Sequence, residues 1–155
     1  MTYDTRATAA VIDFVTHANL DRFPREAIAV AKQCIVDGLG VILAGTAAQG
    51  TAIVRGYVEA GQEVGEATIL GAEPVSCRAA SAALVNGTAG HALDFDDTQL
   101  SSSPDRIFGL LTHPTIPPLA ASLAIGERLG VSGRQLLEAY LIGFEVECKM
   151  AEAIH

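Results

Sequence analysis

The run Ala79–Thr98, AASAALVNGTAGHALDFDDT, constrains this chain more than any other segment. It is made of small, mostly apolar residues and then runs into three carboxylates, Asp94, Asp96 and Asp97. A helix of Ala, Ser and Gly is thin, so it becomes stable only when neighbours approach it closely. Gly87 and Gly90 inside it each cost about 1 kcal/mol relative to Ala. Two explanations offset that cost: a second helix packed against the glycines, or a ligand or backbone that needs the space. The rest of the composition agrees with close helix packing. Half of the residues are apolar, but aromatics are only 5% and Trp is absent, so Ala, Gly, Leu, Ile and Val must fill the core.

Helical periodicity extends through nearly the whole chain. Val11, Phe14, Val15 and Ala18 share one face of a first helix. A second opens near Pro24, where a missing N–H costs little, and carries Ile28, Ala31, Ile35, Leu39 and Ile42 to a stop at Gly45. A third spans residues 51–60. The segment EATILGAEP is the one extended candidate. Ser76, after Pro74, is the expected N-cap of the small-residue helix. A fifth helix, PPLAASLAIGERLG, stops at Gly130. The last opens on Ser132 and Gln135, which have the spacing of a capping box, and carries the stripe Leu136, Leu137, Tyr140, Leu141, Phe144 and Cys148. The expectation is an all-α fold of five or six helices in one domain, residues 1–155. The final helix reaches His155 with no glycine, proline or polar stop, which predicts an interrupted domain.

Several function classes are disfavoured. The net charge is −8, and eight Arg and two Lys are scattered along the chain, whereas nucleic-acid binding needs a clustered basic face. CIVDGLGVILAG is the best membrane candidate, but it is shorter than the ~20 apolar residues of a span and contains Asp37. The N-terminus lacks the pattern of a secretory signal. Three widely spaced cysteines, Cys34, Cys77 and Cys148, fit reduced thiols in a cytoplasm better than disulfides or a zinc site.

If the small-residue helix continued through Thr98, steps of about 100° per residue would put His91, Asp94 and Thr98 on one face, Asp97 at its flank and Asp96 on the opposite side. A metal site would need two or three converging ligands, of which His91 and Asp94 are candidates, and a metal-dependent hydrolase built on them is one alternative. DFDD lacks the alternation and glycine of a calcium loop. A solvated acidic helix end is another reading, but carboxylates at a helix C-terminus oppose its dipole. His113 stands in LTHPTIPP, where prolines restrict the backbone. His17 reads as a surface residue, and the terminal His155 carries no inference.

NGTAGHALDFDDT, the later His-Pro, and PPLAASLAIGERLGVSGRQLLEAYLIGFEVE together resemble the N-terminal part of the MmgE/PrpD family. The likeness covers nearly all of the chain and is most specific from Asn86 to Thr98. It implies a large helical domain and a smaller α/β lid with the active site between them, a homodimer, and no organic cofactor. It matches Asp94, Thr98 and His113 to catalytic positions, and Asp96 and Asp97 to acidic positions less directly tied to catalysis. His91 and Asp97 are the substrate-binding candidates, and no metal ligand is assigned. SSSPDRIFGLL, before His113, reads as an insertion relative to the family. The family's remaining His, Lys and Tyr residues and its lid would lie beyond residue 155.

The activity this resemblance implies is that of a lyase or isomerase acting on a small di- or tricarboxylate. Dehydration, decarboxylation and epimerisation of such acids all move a proton next to a carboxylate. A histidine suits that step, and cationic groups must offset the charge that develops. The rival expectation is a catalytically inactive helical dimerisation or binding module.

Overall fold

A computed structural model describes residues 5–100 and 110–154. Among them are six α-helices and two short ribbons. In chain order these are α1 (Thr5–His17), a 3-10 turn (Leu20–Arg22), α2 (Arg25–Gly45), α3 (Gln49–Ala60), β1 (Ala67–Ile69), β2 (Val75–Cys77), α4 (Ala79–His91), β3 (Gln99–Leu100), β4 (Leu110–Thr112), α5 (Ile116–Leu129) and α6 (Gly133–Ile154). The fold is the expected mostly helical one. The extended candidate is one strand of an antiparallel ribbon, with Ala67 opposite Cys77 and Ile69 opposite Val75.

The small-residue helix α4 lies at the centre, against α2, α3, α5 and β1. It contributes to both apolar clusters. Ala89 joins Ala31, Ile42, Ile116, Leu119, Leu137, Tyr140 and Leu141, while Ala79, Ala82 and Val85 join Val58, Ala67, Ile69, Cys77 and Ala124. A helix shared by two clusters must be apolar on several sides, which is why its sequence shows no single stripe. Of its two glycines, close packing requires Gly90 alone. A Cβ on Gly90 would come 2.6 Å from Ile116 of α5, whereas one on Gly87 would make only ordinary contact with Ala120. On α2, a Cβ on Gly45 would overlap the Ala89 carbonyl, so two helix backbones touch there.

Three expectations about boundaries need correction. Ser76 is not an N-cap, because β2 pairing recruits it opposite Thr68. The start of α4 is instead satisfied by acidic side chains: Arg78 N donates to Glu63 at 3.2 Å and Ala79 N to Glu66 at 3.2 Å. The third helix starts at Gln49, one half-turn early. The largest change is at the C-terminus of α4, which ends at His91 instead of continuing to Thr98. Asp94 takes a left-handed φ of 55° there, a conformation more accessible to Asp than to most residues. Ending the helix at His91 leaves Asp94, Asp96 and Asp97 in the loop that follows it instead of in its last turns.

Other signals match the structure. Gly130 closes α5 in a left-handed conformation. The Ser132–Gln135 box is formed, with Gln135 N donating to Ser132 Oγ at 3.3 Å and Ser132 N to Gln135 Oε1 at 2.9 Å. The α6 stripe faces inward, and Leu137, Tyr140, Leu141 and Cys148 are buried. Burial pushes the Cys148 thiol up to about 11, with nearby Glu145, Glu147, Asp97 and Glu152 adding to the shift. Burial likewise raises the Tyr140 hydroxyl well above its usual range. All three cysteines are free. The α2 run judged too short for a membrane belongs to a helix of 21 residues that is long and apolar enough to cross one by length and composition. In this fold, however, Gly38, Val41, Ile42 and Gly45 of α2 are buried in the packed domain.

Candidate active site

The functional side chains gather where the loop after α4 turns back to the start of α5. Strands β3 and β4 make that return possible: they pair antiparallel with Gln99 opposite Thr112, which brings His113 alongside the aspartate loop. The proposed insertion falls on residues 101–111, of which 101–109 lie outside the described residues. Glu147 on α6 anchors the ribbon by accepting from Thr112 Oγ1 at 2.6 Å.

Asp96 is at the centre of the site, contrary to the expectation that it points away. That expectation assumed a continuous helix. With the helix ended, Asp96 swings inward and its side chain is 1% exposed. His91 Nδ1 lies 3.0 and 3.1 Å from its two oxygens. His113 Nδ1 lies 3.3 Å from Oδ2, within ion-pair range, although its direction is off a hydrogen-bond line and the nitrogen has no other partner among the described residues. The two imidazoles meet edge to face with centroids 4.7 Å apart.

The other candidates separate. Asp94 sits at the rim, 79% exposed, with Oδ1 3.8 Å from His113 Nε2. Thr98 is exposed and is not among the residues lining the adjoining cleft. Asp97 turns to the opposite side, into the protein. Its carboxylate accepts from Thr115 N at 3.1 Å and from Thr115 Oγ1 at 2.7 Å. Because the Thr115 hydroxyl donates to Asp97, it receives the Tyr140 hydroxyl, 2.8 Å away. Asp97 thereby supplies a negative charge and an acceptor at the start of α5, where both are favourable. Its position fits an anchor for the loop better than a substrate contact.

A cleft of about 550 Å³ opens beside the cluster, walled by Ala83, Leu84, Gly87 and Ile116 and edged by His91, Asp96, His113 and Glu147. Sequence reasoning had not singled out Glu147, since a lone acid on an amphipathic helix reads as a solvated face. No Lys or Arg lines this cleft among the described residues. One ligand atom each from His91, Asp94, Asp96 and His113 can be found within 4.8 Å of one another, a donor set able to hold a metal ion. Imidazole and carboxylate in that number suit zinc or another transition ion. They equally suit proton transfer, in which a carboxylate orients an imidazole.

Fold and cluster together define a helical domain with an imidazole–carboxylate site at the corner between two helices. Residues 9–155 match the MmgE/PrpD N-terminal domain, and the chain belongs to the MmgE/PrpD family. It is similar to the cis-aconitate decarboxylase of Mus musculus, with 32% identity over 124 residues, covering 77% of this chain and 24% of that protein. The cis-aconitate decarboxylase of Homo sapiens is 31% identical over 124 residues, with the same shares covered. The chain thus spans about a quarter of the length of the curated relatives it matches.

Proposed function

We propose that this chain forms the helical side of the active site of a lyase or isomerase that moves a proton next to a carboxylate of a small di- or tricarboxylic acid. The observation that carries this reading is the packing of His91, Asp96 and His113 at the edge of an apolar-walled cleft. The names of the relatives support a tricarboxylate as substrate. In a decarboxylation of that kind a C–CO₂ bond breaks, CO₂ leaves, and its electron pair stays on carbon until an imidazolium N–H returns a proton there. In a dehydration the same nitrogen, unprotonated, removes a proton while the C–O bond breaks and the hydroxyl leaves as water on taking up a proton; in an epimerisation the proton removed is replaced by one delivered to the opposite face of the carbon. Asp94, exposed at the rim 3.8 Å from His113 Nε2, is placed to meet the substrate.

Electrostatics limit what this chain does alone. Asp96 and Glu147 line the cleft, Asp94 lies beside its His113, and no Lys or Arg lines it among the described residues. A polyanion therefore needs cations from elsewhere in the enzyme. The proposal includes a homodimer, supported by the apolar side chains Val36, Ile53 and Tyr57 exposed at the surface. The rival reading, a helical association module without catalysis, draws on the same exposed side chains.

Ring and amide NMR shifts of the chain, titrated with cis-aconitate and with acetate as the control, test the proposal. Weak, saturable shifts at His91, Asp94 and His113 with the tricarboxylate, without turnover by the isolated chain, are the expected result. Shifts that require added zinc and vanish with chelator would move the site to the metal-dependent class. No shift at these residues would leave the association module. In a full-length relative, Asn at the position matching Asp94 is expected to lower turnover by about 10²–10⁴ while the fold is retained.

A further inference from the structure

The reading above assigns proton transfer to imidazoles, but an imidazole can act only through the nitrogen it presents. We propose that Asp96 is a positioning residue that holds both His91 and His113 as the Nδ1–H tautomer, so that Nε2 of each ring is the basic nitrogen. Three observations support this. First, both Nδ1 atoms face the same carboxylate: His91 Nδ1 at 3.0 and 3.1 Å from its two oxygens, and His113 Nδ1 at 3.3 Å from Oδ2. Second, the Asp96 side chain is 1% exposed, so water does not compete for its lone pairs. An ionised carboxylate only accepts hydrogen bonds, so a ring nitrogen held against this buried one carries the proton; Asp94, 79% exposed and 3.8 Å from His113 Nε2, lies beyond hydrogen-bond distance and sets no such demand on that nitrogen. Third, His113 Nδ1 is itself shut off from solvent and has no other partner among the described residues. Asp96 Oδ2 is its available acceptor, and a small rotation of the ring completes the bond.

The edge-to-face contact of the rings, 4.7 Å between centroids, couples the two orientations, so losing the shared carboxylate frees both. The Nε2 side of His113 is the side that Asp94 approaches at 3.8 Å. Asp96 thus resembles the orienting acid of other imidazole sites in its role, with the difference that one carboxylate serves two rings.

This inference rests on the proposed function only in the use made of Nε2; the tautomers themselves can be read without turnover. Long-range ¹H–¹⁵N spectra of the ring nitrogens are recorded on the labelled 155-residue chain, at a pH where the rings are neutral. His91→Gln and His113→Gln variants provide the assignments. In the wild-type chain, His91 and His113 are expected to show a protonated Nδ1 and a bare Nε2, while His17 serves as an exposed reference. Asp96→Ala should shift both rings toward the Nε2–H form with the amide spectrum otherwise native. Asp96→Asn should hold His91 by its amide oxygen and release His113. A wild-type spectrum with Nε2–H at either ring overturns the proposal, even if neither variant folds. So do tautomers that stay unchanged in Asp96→Ala. If both rings are Nδ1–H but tricarboxylates cause no shift, the functional reading fails and the positioning role stands.

Discussion

The centre of the domain and its outer face are built from similar residues in opposite ways. In the centre, α2, α4 and α5 touch through Gly38, Gly45 and Gly90, at positions where an added methyl would strike a neighbouring helix. On the outer face, Gly40 and Gly56 have nothing within reach of a Cβ. Val11, Ile12 and Val15 of α1, Val36 of α2 and Tyr57 of α3 are exposed, Tyr57 by 79%. Helical spacing is similar in both regions. The difference shows that apolar periodicity marks a helix face able to be buried, whereas only a close-packed neighbour makes that face core. The site is attached to the centre: Asp96 and Asp97 hang from the end of α4, and His113 and Thr115 lead into α5.

A paired glycine substitution should produce the largest contrast. Gly45→Ala pushes a methyl into the Ala89 carbonyl, backbone against backbone, where no rotamer change relieves it. The expected loss is about 3 kcal/mol, at the upper end for overpacking. Gly40→Ala, in open space on the same helix, should instead stabilise by about 0.5–1 kcal/mol. Urea unfolding of the two variants checks both signs; equal effects would erase the distinction between the regions.

A smaller effect is expected where the centre meets the site. Asp97→Ala removes the acceptor for Thr115 N and Oγ1 and should cost about 1 kcal/mol, the usual worth of a helix cap. Because Tyr140 donates to the same threonine, Tyr140→Phe should lose less in the Asp97→Ala background than in the wild type. Additive losses in that double-mutant cycle would show that the three groups do not act as one network.

The most gradual contrast is with pH. The Cys148 thiol is raised from 9.0 to about 11 in the folded chain, and the Tyr140 hydroxyl is raised as well. Both groups are neutral when protonated, so the unfolded chain gives up its protons first as the pH climbs. The Cys148 contribution is complete below about pH 9 and is lost as the pH rises through about 11, whereas that of Tyr140 is lost only at higher pH. Unfolding midpoints across that window should fall for the wild-type chain and fall less steeply for Cys148→Ala. Val36→Ala, on the outer face, should leave the slope unchanged; a change there would tie alkaline loss to the wrong region.

Much of this architecture was legible because its signals are local. The capping box at Ser132 and Gln135, the stop at Gly130 and the α6 stripe all depend on residues within a few positions of one another, and the structure has each of them. Ser76 misled because its partner, Thr68, lies across a ribbon. A hydroxyl after a proline looks the same whether it caps a helix or faces another strand. The site divided similarly. Composition picks out the segment from His91 to Asp97, and the flanking prolines and then the resemblance pick out His113, but the geometry expected of the segment assumes a helix that in fact ends seven residues earlier. Asp96 was misplaced for that reason alone.

By itself, the sequence determined that this protein is mostly helical, that its core must be assembled from small residues in close contact, and that carboxylates and histidines concentrate around one segment. These follow from composition and short-range periodicity, which act through steric bulk, backbone propensity and the burial of apolar faces. The tertiary structure alone decided which aspartate is buried between the imidazoles and which ones cap a helix or face water. A left-handed turn at Asp94 and the pairing of Gln99 with Thr112 set those directions. Side-chain direction beyond a helix end depends on where the chain is pulled next, and that pull comes from α5 and α6, distant in sequence and adjacent only after folding.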